Sequence, residues 1–179
     1  MHALIMILML STAAEARTDQ EQELLATSYD TGDVEELRSI LATGVDINVK
    51  SSVGRTALHH TCLKGYAEAA QLLLGKGADV EATSDGGWTA LMLASFAGHT
   101  AIARALLEKG AAIERVNVIG KSALDYARQA SRSEVVKLLE AAASQSSGMA
   151  GKSSAQRHHK HTNINKKRGR FPSSSKGEL

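Results

Sequence analysis

One string of residues recurs along this chain at intervals of 33. Gly-Arg-Thr-Ala-Leu begins at Gly54, Gly-Trp-Thr-Ala-Leu at Gly87 and Gly-Lys-Ser-Ala-Leu at Gly120. Other columns keep the same period: Gly32, Gly65 and Gly98; Gly44, Gly77 and Gly110; Leu25, Leu58, Leu91 and Leu124; Ile40, Leu73, Leu106 and Leu139. So many columns in register mark an array of like structural units, each burying its apolar face on its neighbours. Four units of this length exceed the usual minimum of about three.

Each unit reads as helix, turn, helix, loop. In the second, Thr56 is a suitable N-cap, because its hydroxyl can accept a bond from a free N–H of the first turn. A short helix follows to about Leu63. Gly65 falls where a helix ends in a left-handed residue. A second helix from about Ala67 to Lys76 places Ala70, Leu73 and Leu74 on one side at helical spacing, and Gly77 ends it. The polar stretch from Ala78 to Gly87 is extended and leads to the next unit. Aromatics are only 3% of the residues, and this aliphatic, Leu/Ala-rich composition suits closely packed helices. The single proline, Pro172, leaves the first 171 residues without a helix breaker of that kind.

These units resemble the ankyrin repeat. RTALHHTCLKGYAEAAQLLLGKGADVEA (Arg55 to Ala82) and WTALMLASFAGHTAIARALLEKGAAIE (Trp88 to Glu114) match it closely. The fourth unit keeps Ser-Ala-Leu-Asp but has Ser131 at the mid-repeat glycine, and the first keeps only GDVEELRSILATGVDIN. Weak end units are what capping repeats look like. The resemblance covers about two-thirds of the chain. It implies an all-α, ankyrin-type solenoid of stacked helix-turn-helix repeats over residues 19–143, with repeats at about 22–54, 55–87, 88–120 and 121–143. Ala57, Ala90 and Ala123 stand where the family prefers proline, a change that helix initiation tolerates. The family's histidine is kept only as His59. Met92 and Asp125 replace it, so an inter-repeat hydrogen bond is expected to be missing twice.

In such proteins partner contacts come from the loop tips and the concave face of each first helix. Carried over by position, these are Val53, Arg55, Leu63 and Lys64, with Ser52, in the second unit. In the third they are Asp85, Trp88 and Phe96, with Gly86 and Ala97. In the fourth they are Val118, Ile119 and Lys121, with Gln129 and Ala130. Val53, Leu63, Trp88, Phe96, Val118 and Ile119 are sizeable apolar residues at positions expected to be exposed. An apolar strip flanked by Arg55, Lys64 and Lys121 fits a protein-binding surface, with Trp88 as its anchor. The competing reading folds Trp88 and Phe96 onto the neighbouring repeat.

The residues carry no recognisable enzyme site and imply no cofactor. His59 and His60 are adjacent on one helix and cannot both face one substrate. Cys62, the only cysteine, rules out an internal disulfide and sits at a small-residue core position as a buried, inert thiol. The periodic glycines form no phosphate loop. His158, His159 and His161 lie in a polar segment with nothing to fix a metal geometry, so no metal site is expected.

The charge is divided. Residues 144–179 hold eight Lys/Arg and one acid, while residues 1–143 carry a net −5. The tail is read as disordered. Lys166, Lys167, Arg168 and Arg170 could engage nucleic acid or anionic lipid. At the other end, residues 1–16 read as a signal peptide or a disordered N-terminus. Ala3 to Leu10 is apolar, and Ala14-Glu15-Ala16 resembles a cleavage site. Lys176-Gly177-Glu178-Leu179 resembles an endoplasmic-reticulum retention signal. Cytoplasm or nucleus is the expected compartment, with the secretory pathway as the alternative. The expected function is that of a monomeric, non-enzymatic protein-binding module, either scaffold or inhibitor. The alternative is a regulator whose basic tail engages nucleic acid or anionic membrane, with the repeats as targeting module.

Overall fold

The computed structural model describes residues 18–155, with side chains through residue 145. The described residues form eight helices in four antiparallel pairs and no strand. These are α1 (residues 18–30) and α2 (Val34–Ala42), α3 (Ala57–Lys64) and α4 (Ala67–Gly75), α5 (Ala90–Ala97) and α6 (Thr100–Glu108), α7 (Ala123–Gln129) and α8 (Ser133–Ala155). Helices α3, α5 and α7 pack in sequence as one layer, and α2, α4 and α6 as a second. The result is an all-α helical repeat solenoid.

Local chemistry sets the boundaries. The Asp33 carboxylate caps α2 by accepting from the N–H groups of Glu35 (2.9 Å) and Glu36 (3.1 Å). The Thr89 hydroxyl accepts from Met92 N–H at the start of α5. Ser122 and Asp125 close a reciprocal capping box at α7, and the two bonds from Ser122 hold the Asp125 carboxyl below its ordinary pKa. Gly65 ends α3 with φ 88°, where a side chain would be strained.

The core follows the period. Leu73, Leu106 and Leu139 are fully buried, and Ile40 nearly so. Leu58 and Leu91 are buried, whereas Leu25 and Leu124 in the end pairs are half-buried because a neighbour covers one side only. Side chains also stitch the repeats from outside. Asn48 Oδ1 accepts from Asp79 N–H (2.8 Å), and 33 residues on Glu81 Oε1 accepts from Ala112 N–H (2.9 Å).

The chain divides into two units, Met1–Ala142 and Ala143–Leu179. The tail expected to lack structure from residue 144 is helical as far as Ala155, and no proline interrupts it there. Residues 1–17 and 156–179 lie outside the described residues. With them go the signal-like segment, the His158–His161 cluster, the Lys166–Arg170 cluster and the C-terminal tetrapeptide.

Candidate functional site

The loop between each outer helix and the next inner helix turns back on itself at a tip. Ser51 N–H donates to Arg55 O, Ser84 N–H to Trp88 O and Asn117 N–H to Lys121 O, at 2.8–3.0 Å. The tips are bonded to each other. Asp85 N–H donates to Val53 O and Val118 N–H to Gly86 O, both at 3.3 Å. The buried Asn117 side chain braces the last tip, accepting from the N–H groups of Ile119 (3.2 Å) and Lys121 (3.0 Å).

On this framework the tips present aliphatic side chains to solvent. Val118 is 74% exposed, Ile119 66% and Val53 52%. Phe96, at the end of α5, is 43% exposed. Asp85 and Lys64 are exposed and Arg55 and Lys121 half-buried. Two residues expected to be exposed are instead half-buried, Leu63 and Trp88. The Trp88 ring stacks on Tyr126 of the next helix pair, with centroids 4.2 Å apart and planes at 28°. Phe96 meets both rings edge-on, at 6.4 Å from Trp88 and 6.2 Å from Tyr126. Lys121 Nζ lies 5.7 Å from the Tyr126 centroid and donates to Gln129 Oε1. Trp88, Phe96 and Lys121 are thus brought together, while Val53 and Val118 stand on separate tips.

Tyr126 and Tyr29 are site neighbours that sequence reasoning missed. The Tyr126 hydroxyl accepts from Asn117 Nδ2 at 2.7 Å, which ties the aromatic cluster to the apolar tip. Tyr29, 43% exposed, meets His60 edge-on at 5.3 Å, and Lys64 Nζ lies 4.1 Å above its ring. A signal existed for Tyr126, since it occupies the column of His60 and Leu93.

Cys62, His59 and His60 are enclosed. Cys62 is fully buried, and burial raises its thiol pKa well above the ordinary value. His59 is buried against the Trp88 carbonyl, and desolvation lowers its pKa. His60 is 8% exposed, and burial, followed by the charges of Arg55, His59 and Lys64, lowers its pKa to about 4. Among the described residues no group of three His, Cys, Asp or Glu is placed to hold a metal ion. No helix among them is long and apolar enough to cross a membrane.

A family model described as ankyrin repeats (3 copies) matches residues 4–84, 23–117 and 81–147. A search of curated proteins found no match to the chain.

Proposed function

Because the chain belongs to the ankyrin repeat family, whose repeats are protein–protein interaction modules, we propose that it holds a protein partner against its loop tips and the adjoining face of α3, α5 and α7. The observation that carries this reading is the exposure of Val118 and Ile119 on a tip whose backbone is fully braced. Two aliphatic side chains held in water by a rigid turn gain free energy when a partner covers them, and the turn loses little entropy on binding. Val53 and Phe96 offer further apolar contacts on the neighbouring repeats, with Trp88 and Leu63 half-buried. Arg55, Lys64, Asp85 and Lys121 set a charged rim. The role is that of a scaffold or an inhibitor, according to the partner held.

Affinity capture from the cells that make the protein tests this, comparing wild type with Val118→Asp plus Ile119→Asp. Loss of the captured partner with unchanged circular dichroism and melting temperature is the expected result. An identical partner set in both samples would refute the assignment of this surface. The basic cluster Lys166, Lys167, Arg168 and Arg170 supports a second reading, a regulator that engages nucleic acid or anionic membrane. Removing residues 156–179, which leaves α8 whole, separates the two: the first reading keeps its partner and the second loses its target.

A further inference from the structure

Beside His60 stand two cations, Arg55 and Lys64, with no carboxylate paired to them among the described residues. Among the described residues Arg38, Arg115, Arg128 and Lys137 each pair with a glutamate, whereas Lys76, Arg104 and Lys109 make no ion pair. The Arg55 and Lys64 side chains make no ion pair or hydrogen bond among the described residues. Lys64 Nζ is instead held 4.1 Å over the Tyr29 ring, and that ring meets His60 edge-on. Arg55 occupies the position that Lys121 holds two repeats on, where the ammonium lies 5.7 Å from Tyr126, the counterpart of His60. Nδ1 of the buried His60 has no hydrogen-bond partner. The charges acting on the ring come from Arg55, His59 and Lys64, all opposing protonation, and no carboxylate offsets them. What sets Arg55 and Lys64 apart from the other unpaired cations is that both act on one buried ring, on residues 1–143 whose net charge is −5.

We propose that Arg55, Lys64 and the Tyr29–His60 pair form a carboxylate-binding site for an acidic segment of the partner protein. The inference deepens the proposed function and rests on it. Arg55 precedes α3 and Lys64 ends it, so their backbones lie roughly 12 Å apart at about 1.5 Å per helical residue. Carboxylates about four residues apart in an extended segment span the same distance, at about 3.3 Å per residue. One carboxylate on Arg55 and another on Lys64 each replace hydration with charge-assisted hydrogen bonds. Residues 1–143 as a whole are net acidic, so the domain suits a short acidic segment better than a long polyanion.

Titrating hexaglutamate into the isotope-labelled full chain tests this by NMR. The expected result is that resonances of Tyr29, His60 and Lys64 move, that the effect weakens as salt is raised, and that the protonation midpoint of His60 moves up in the bound state. Arg55→Glu with Lys64→Glu is expected to weaken this binding about tenfold or more. The charge-matched control Lys76→Glu with Lys109→Glu is expected to bind like wild type. Shifts confined to residues 144–179, or equal binding by the Arg55/Lys64 reversal, would overturn the site. Capture of the partner through Val118 and Ile119 that is unaltered by that reversal would also overturn it, while leaving the proposed function standing.

Discussion

Nε2 of His59 lies 2.9 Å from the carbonyl oxygen of Trp88, one repeat further along. Nδ1 of the same ring stands 3.2 Å from Thr56 N, which donates to it, and 2.9 Å from the Thr56 hydroxyl. With Nδ1 accepting, the proton belongs on Nε2, which donates to Trp88. The neutral ring thus caps its own helix and bonds the second repeat to the third. Met92 cannot make this bond, and Asp125 spends its carboxylate on Ser122. His59→Met copies the next repeat and removes all three of these contacts at a buried site. A loss of about 1–2 kcal/mol is expected in urea unfolding, because Trp88 O still accepts from Ser84 N–H. An unchanged midpoint would mean that the inter-repeat bond contributes nothing.

Two buried neutral histidines make stability depend on pH. Burial lowers the pKa of His59, and lowers that of His60 to about 4. In the unfolded chain both take up protons near pH 6.5. Their contribution is therefore full above pH 6.5 and is lost as the pH falls toward 4, because only the unfolded state binds the extra protons. The melting temperature is expected to fall steadily across that window. His60→Leu installs the residue that the next repeat carries as Leu93 and removes an unpaired buried nitrogen. It is expected to flatten the pH profile without loss of stability at pH 7. A profile as steep as wild type would assign the effect to other groups.

Leu106 is fully buried in the middle of the stack, between the equivalent Leu73 and Leu139. Leu106→Ala is expected to cost about 2–5 kcal/mol, by lost burial and the cavity left behind. Chemical denaturation measures this directly. A loss under about 1 kcal/mol would place Leu106 outside the core.

The period made the helices and the glycine turns legible, because each recurs and each has a local cause. The packing of Trp88 onto the neighbouring repeat was present only as the competing reading, and the ring it meets was not legible. Trp88's siblings Arg55 and Lys121 are polar, so the column reads as solvent-facing, yet Tyr126 of the next repeat covers the ring. The column of Tyr126 holds His60 and Leu93, and Arg55 and Lys121 stand in the column of Trp88, so no other repeat carries the same pair of rings. The end of α8 was missed similarly. Ser, Gly and Lys from residue 144 onward suggest a loose tail by composition, but no residue before Pro172 forbids a helix. Exposure at Val53, Val118 and Ile119 followed from the repeat register, since tip positions have no neighbour to cover them.

Ser131 tests the turn chemistry. It stands at the mid-repeat position of Gly65 and Gly98, and its φ is 56°. At Gly65 an added Cβ would lie 2.4 Å from the His99 ring, so space as well as φ favours glycine, whereas at Gly98 it would meet the flexible Arg132 side chain, with Cδ at 2.7 Å. Ser131 is exposed, which leaves only the backbone strain of a left-handed residue. Ser131→Gly is expected to stabilise by about 0.5–1 kcal/mol, the relieved strain being partly offset by the freer unfolded chain. A lower melting temperature would show that the serine side chain has a role of its own.

The tip glycines separate strain from packing. Gly54 and Gly120 have nearly the same φ, 71° and 75°, so alanine suffers a similar backbone penalty of about 1–2 kcal/mol at either. Their surroundings differ. A Cβ on Gly54 would fall 2.3 Å from Asp85 Oδ1 and 2.7 Å from Asp85 N, whereas one on Gly120 meets nothing within 4 Å. The carboxylate can swing aside, but the Asp85 backbone cannot move without breaking its 3.3 Å bond to Val53 O. Gly54→Ala is therefore expected to destabilise by about 1–3 kcal/mol more than Gly120→Ala. Paired urea titrations read the difference. Equal losses would mean that the tips at Gly54 and Asp85 are not packed on one another.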